Sequence, residues 1–254
     1  MGTQTQFVLK WGGGMLQTTN PFLLAMIPVR NEAKRYLSTV LKNISSLVSG
    51  IVILDDASTD DTPTLCRSHP RVIRYHRLAK PLFLRDEAAF RSMLWGMTME
   101  LNPTWVLALD ADEYPESKLK KEFIEKTAKS LIRLPVCHFW GSLEHYRIDG
   151  MWNPLLYPTA CLFRPKKDRV YHWAQRRLHC GRFPVEAYEN PSVTTKVRLL
   201  HFGYADRGEH WGKYDRYIQA DPEGVFCPQE HYASILDPHP VLKKWTGERL
   251  EVTR

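Results

Sequence analysis

Asp110 and Asp112 stand two residues apart where the apolar run Trp105-Val106-Leu107-Ala108-Leu109 ends. Along an extended backbone side chains alternate, so both carboxylates would point to one side. Two carboxylates held together repel unless a cation lies between or beside them. Mg²⁺ or Mn²⁺ takes oxygen ligands from one or two carboxylates and completes its octahedron with substrate phosphates and water. The pair is therefore a candidate holder of a metal-bound diphosphate, although an isolated Asp-x-Asp is more often a capped turn. A second acidic cluster, Asp55-Asp56-Ala57-Ser58-Thr59-Asp60-Asp61-Thr62, follows the apolar run Ile51-Val52-Ile53-Leu54. Both clusters close apolar strands, and open α/β sheets bind ligands at the C-terminal ends of their strands.

The elements that must position these residues follow from periodicity. Phe22 to Ile27 is an apolar run of strand length, and Pro28-Val29-Arg30-Asn31-Glu32 turns it into a helix. That helix carries Leu37, Val40, Leu41, Ile44, Leu47 and Val48 on one face. Ser58 or Thr59 reads as the N-cap of a second helix, with Asp60 and Asp61 serving its dipole. A short strand over Val72 to Tyr75, a helix over Arg85 to Leu101 stopped by Pro103, and a helix over Glu116 to Leu131 are expected next. Strands follow over Leu134 to Trp140, Ala160 to Phe163 and Val197 to Phe202, then a helix over Arg207 to Ala220. This order predicts an α/β fold in which the two halves share one Rossmann-like, mostly parallel mixed sheet flanked by helices. Residues 1–20, with Gly12, Gly13 and Gly14, form a lead-in without periodicity.

The chain has 254 residues, 43% hydrophobic and 25% charged, which excludes disordered and disulfide-stapled classes. Its longest apolar stretch, Phe22 to Val29, is far shorter than the roughly 20 residues that span a bilayer. No secretory signal is evident, and five scattered cysteines without a CxxC pair fit reduced thiols, so a cytoplasmic location is expected. A net charge of +7 favours an anionic partner, either a nucleotide diphosphate, a nucleic acid or an acidic lipid surface. Eight tryptophans among basic residues also fit a nucleic-acid-binding module. Against it, acidic clusters at strand ends repel phosphates unless a metal intervenes, so no nucleic-acid partner is expected; peripheral membrane contact stays open.

Three ordered blocks change the reading of the acidic pair. The strand into Pro28-Val29-Arg30-Asn31-Glu32, the block Leu54 to Thr62, and the strand into Asp110-Ala111-Asp112-Glu113 resemble the nucleotide-sugar-binding half of family 2 glycosyltransferases of the GT-A fold. Weaker similarity continues through Leu162-Phe163-Arg164, Arg177-Leu178-His179 and Leu200-His201-Phe202-Gly203-Tyr204. The resemblance implies a catalytic domain over 21–204, with a donor half at 21–115 and an acceptor half at 116–204. A helical extension over 205–254 would follow.

The resemblance further implies a metal-dependent, inverting transfer from a UDP- or GDP-sugar to an acceptor hydroxyl on a glycan, lipid, protein or small molecule. Pro28, Arg30, Asn31 and Glu32 would meet the nucleoside, and Asp55 or Asp56 the base or ribose. Asp110, Ala111 and Asp112 would hold the metal-diphosphate, with Arg85 or Arg91 facing the nucleotide. His201 would complete the metal site or else pack as a core histidine. Related sequences often carry His-Glu where this chain has His179-Cys180, so an acidic role is lost there.

An inverting transferase needs a base within reach of the acceptor hydroxyl. In the aromatic stretch His138 to Trp152, Asp149 is the first candidate and Glu144 the second. A turn at Asp149-Gly150 is the alternative. Lys213 or Arg216 is expected to approach phosphate from a closing lid, or to sit on a docked helix whose Trp211, Tyr214 and Ile218 complete the core. A nucleotidyltransferase on a related scaffold would need a glycine-rich phosphate loop after the first strand, and Pro28 to Glu32 is not one.

Overall fold

A computed structural model describes residues 21–250 and 252; the lead-in at 1–20 lies outside them. In chain order the first half contains β1 (Leu23–Val29), α1 (Leu37–Ile44), β2 (Gly50–Asp55), α2 (Thr62–Ser68), β3 (Val72–Arg77), α3 (Glu87–Met99), β4 (Trp105–Ala108) and β5 (Glu113–Pro115). The second half contains α4 (Lys121–Lys126), β6 (Leu131–Leu134), β7 (Val136–Trp140), β8 (His145–Arg147), β9 (Thr159–Phe163), α5 (Val185–Tyr188), β10 (Ser192–Thr194) and β11 (Leu199–Tyr204). It closes with α6 (His210–Ala220), α7 (Gln229–Ala233) and β12 (Leu242–Lys244).

The main sheet runs β10-β6-β9-β4-β1-β2-β3. Its centre, β4-β1-β2-β3, is parallel, and β9 runs antiparallel to both β4 and β6. β4, β1 and β2 are buried, Pro28 only in part, and almost wholly apolar, because helices cover both faces, whereas the edge strand β3 is partly exposed. Leu37, Val40, Leu41 and Ile44 of α1 pack on one face, and Phe90, Leu94 and Trp95 of α3 on the other.

The second half departs from the expected single sheet. Pro135 cannot donate a ladder hydrogen bond, so the run 131–140 breaks into β6, which joins the main sheet, and β7. β7 enters a five-stranded sheet ordered β12-β8-β7-β11-β5. The predicted helix over Glu116 to Leu131 shrinks to α4. Glu116 is withdrawn to accept hydrogen bonds from Arg198, and Leu131 pairs with Phe163 of β9. The C-terminal segment is not purely helical, since β12 pairs antiparallel with β8. Trp211 does not complete a core: it is 66% exposed. Tyr214 and Tyr217 pack instead against Trp140, Trp152 and Tyr204.

Candidate active site

The turn after β1 is locked to the loop after β2. Asn31 adopts φ 54°, a left-handed conformation that asparagine tolerates. Its backbone N–H donates to Ser58 Oγ at 2.9 Å, and its Oδ1 accepts from the Thr59 N–H at 2.8 Å. The Glu32 N–H donates to Thr62 Oγ1 at 2.7 Å. Asp60 accepts from the N–H groups of Ala33 and Thr62, the expected structural role. Asp55 is fully buried, accepting from the Ser58 N–H and the Tyr75 hydroxyl. Asp56 faces the cleft, where it accepts from the Leu82 and Phe83 N–H groups and lies 3.4 Å from Arg30.

These segments form one wall of a cleft of about 470 Å³ that also receives Glu87 and Arg91 of α3, His179, His201 and Tyr204 of β11, and Lys213 and Arg216 of α6. Pro28, Arg30, Asn31, Glu32, Asp110, Ala111 and Asp112 all line it. Arg85 is exposed outside it, so the α3 arginine in the cleft is Arg91, one turn after Glu87.

Asp110 and Asp112 occupy the turn between β4 and β5 rather than an extended strand, so their carboxylates meet different partners. Asp110 lies 3.4 Å from Arg91 and 3.4 Å from Arg182. Asp112 lies 3.5 Å from His201 Nε2 and 3.6 Å from Lys213 Nζ. Burial would raise the Asp112 carboxyl, but His201, Lys213 and Arg35 outweigh it and hold the group well below the usual range. Asp110 is lowered in the same way by Arg182 and Arg91 against burial. His201 is pulled down to about 4, first by burial, with Asp112 opposing, so its ring is neutral at physiological pH. Burial and then Asp112 push Glu32 up to about 8 against Arg35 and Lys213. Glu32 Oε2 lies 3.3 Å from Arg35 Nε without hydrogen-bond alignment.

The proposed bases Asp149 and Glu144 do not line the cleft. Asp149 is held bidentately by Arg147 and accepts from the Val241 N–H, and Glu144 is exposed. Three charged residues escaped the sequence reading. Arg35 stands one turn after Glu32, which was a usable signal. Glu87 was hidden as an ordinary first-turn acid of α3. Arg182 arrives from the irregular segment after β9 and carried no local signal.

The sequence model of glycosyl transferase family 2 matches residues 25–180. The uncharacterized proteins Rv3786c of Mycobacterium tuberculosis and Mb3815c of Mycobacterium bovis are each 25% identical over 219 residues, 80% of this chain. The chain spans about half, 52%, of the length of these curated relatives. Among solved structures, S. aureus TarS covers 85% of this chain at 15% identity and TM-score 0.51, the match spanning 42% of TarS. TarS 1–349 in complex with UDP-GlcNAc covers 85% at 14% identity and TM-score 0.52, spanning 70% of that chain. The likeness shows the mixed α/β, GT-A fold. With more than half of its residues matched by the family model, the chain belongs to glycosyl transferase family 2.

Proposed function

We propose that the cleft binds a nucleoside-diphosphate sugar together with Mn²⁺ or Mg²⁺ and transfers the sugar, with inversion, to an acceptor hydroxyl. The observation that carries this reading is the grouping of Asp110, Asp112 and His201 in one cleft lined also by Arg91, Lys213 and Arg216, with Arg182 behind Asp110. Cations surround the place where a diphosphate would lie, and charge-assisted hydrogen bonds to phosphate are strong.

The residues fit a divalent cation. Among the described residues no group of three or more His, Cys, Asp or Glu is arranged to hold a metal ion, so on this reading Asp112 and His201 alone would be its protein ligands. The protein thus offers a partial donor set, which suits an ion whose remaining ligands are diphosphate oxygens and water. His201 Nδ1 lies 3.1 Å from His138 Nδ1, so one of the two carries the proton between them. With it on His201 Nδ1, Nε2 presents its lone pair toward Asp112, the orientation a metal ligand needs. Gly203 keeps the space open: a Cβ there would stand 2.5 Å from Asp112 Oδ2 and 2.8 Å from His201 Cε1. A cation held by Asp112 and His201 would neutralise the diphosphate leaving group.

The chain's own groups do the rest. Arg91 and Arg182 hold Asp110 in place, and Lys213 and Arg216 approach the leaving diphosphate. Glu32, whose carboxyl burial and Asp112 push up to about 8, would meet a ribose hydroxyl. A thermal-shift screen of UDP and GDP, with and without Mn²⁺, tests the reading, because a ligand that binds only the native state raises its melting temperature. UDP is tried first because TarS has been solved with UDP and UDP-GlcNAc. A cation-dependent rise is expected, and no rise with any nucleoside diphosphate overturns the reading.

A further inference from the structure

A second cavity of about 660 Å³ adjoins the first. Among the described residues only Glu87, Arg91 and His179 line both. Its rim bears exposed Leu156, Tyr157 and Tyr188, with the Arg133 guanidinium over the Tyr188 ring. Apolar and aromatic walls with a few polar groups are the makeup of a small-molecule pocket. A hydroxyl-bearing acceptor lying there would meet a donor sugar across His179.

His179 is held for a purpose that packing does not explain. Its backbone sits at φ 54°, a strained conformation that persists only where surroundings impose it. They do so through Glu87, whose Oε2 accepts from the His179 N–H at 2.6 Å and whose own N–H donates to the Arg177 carbonyl at 2.8 Å. The imidazole stays exposed to the clefts.

The ring's tautomer follows from its partners. Asp221 is buried and accepts from the N–H groups of Val225, Phe226 and Cys227 at 2.8, 3.0 and 3.1 Å. These bonds outweigh burial and hold the carboxyl below its usual range, so it is ionised and can only accept. Tyr232 therefore gives its single hydroxyl proton to Asp221 Oδ2, at 3.0 Å. The Tyr232 oxygen must then accept from His179 Nε2–H, at 2.8 Å. This leaves the lone pair on Nδ1, for which no described residue supplies a hydrogen bond.

Resting on the transferase reading above, we propose that His179 Nδ1 is the general base and that the second cavity holds the acceptor. The acceptor O–H bond breaks as its proton passes to Nδ1. The acceptor oxygen bonds to the anomeric carbon, whose bond to the diphosphate oxygen breaks with the electron pair leaving on the nucleoside diphosphate. Tyr232 and Asp221 are positioning residues that fix the tautomer and stabilise the imidazolium. The groups facing the ring are Glu87 and Arg91 of α3, Arg176, Tyr217, His231, Tyr232 and Asp221. Surrounding protein, the largest influence, moves His179 below 6.5, Glu87 opposing and Arg176 assisting.

The test uses the full chain and water or saccharides as acceptors for the nucleotide sugar whose nucleotide stabilises the wild type. His179→Gly suits the left-handed backbone and leaves a hole for added imidazole; His179→Asn is the second variant should the first not fold. Either is expected to lower turnover at least 100-fold. Nucleotide affinity should stay within threefold, with partial rescue of the glycine variant by imidazole. Tyr232→Phe is expected to shift the acid limb of the pH–rate profile while KM for donor holds. Nucleotide binding with undiminished turnover in the folded variants overturns the proposal alone. Absence of nucleotide binding by the wild type overturns the transferase reading beneath it.

Discussion

Arg182 ties Asp110 to Glu113: its two terminal nitrogens grip the Glu113 carboxylate, and one of them also lies 3.4 Å from Asp110 Oδ2. Glu113 is fully buried and accepts from the Asp110 N–H at 2.9 Å. The acidic motif is thus fixed from behind by a residue some seventy positions later. Burial already pushes the Glu113 carboxyl up to about 7 against Arg182, so removing the guanidinium leaves a buried acid that must take up a proton and loses two hydrogen bonds. Arg182→Ala is expected to destabilise the protein by about 3 kcal/mol, at the lower end for a broken buried pair. Urea unfolding at pH 7 reads this directly, and a midpoint equal to wild type would contradict it.

Asp112→Asn should leave the fold intact and nearly abolish both turnover and cation-dependent nucleotide binding. It removes the negative charge shared by His201 and Lys213 while keeping the side chain's shape. Thermal shifts with UDP, with and without Mn²⁺, check it against wild type. Full turnover in this variant, or in wild type with excess chelator, would sink the metal reading. His201→Ala should weaken Mn²⁺ binding; unchanged Mn²⁺ affinity with lowered stability would make His201 a packing residue.

What the sequence made legible is local. The turn Pro28 to Glu32, the loop after β2 and the Asp110 to Glu113 segment each lie within a few residues of an apolar strand that announces them. What stayed hidden depends on partners far along the chain. Glu116 reads as helical until Arg198 captures it, and Asp149 reads as a free acid until buried Arg147 claims it. The irregular segment that delivers His179 and Arg182 has no periodicity to read. His179-Cys180 read as the loss of an acid, since the hydrogen bonds to Tyr232 and Glu87 exist only in the fold.

Glu116 gives the structure a measurable pH signature. Its side chain is fully buried and accepts three hydrogen bonds from Arg198, which outweigh burial and lower its pKa from 4.5. A carboxyl lowered by folding adds stability above its unfolded pKa and loses it as pH falls through the folded one. Glu116→Gln should therefore cost about 2 kcal/mol at pH 7. The difference from wild type should shrink as pH falls below 4.5. Urea midpoints of both proteins across that range decide it; a gap that stays constant into acid would remove the charge from the account.

Lys213 links α6 to the cleft, with Nζ 3.6 Å from Asp112 Oδ2 and 4.5 Å from the Tyr204 ring centroid. α6 is already docked here, and we expect equal hydrogen-exchange protection across 207–224 with and without nucleotide. Slowed exchange confined to that segment would reinstate a closing lid. Lys213→Met should raise the dissociation constant for the nucleoside diphosphate about tenfold, the loss of one modest charge-assisted contact.

Gly203→Ala separates the cation from the rest of the binding site. Gly203 is free of left-handed strain, so alanine fits the β11 backbone, but the added methyl would lie 2.5 Å from Asp112 Oδ2 and 2.8 Å from His201 Cε1. Lys213 Nζ, also in its way, sits at the end of a flexible stem and can swing aside. Asp112 and His201 have short stems and must be pushed out of position. The variant should therefore fold and keep cation-independent nucleotide binding, while the increment contributed by Mn²⁺ falls at least tenfold in affinity. Titrating UDP by calorimetry with and without Mn²⁺ separates the two quantities. An undiminished Mn²⁺ increment in the folded variant would show that the cation does not lie between Asp112 and His201.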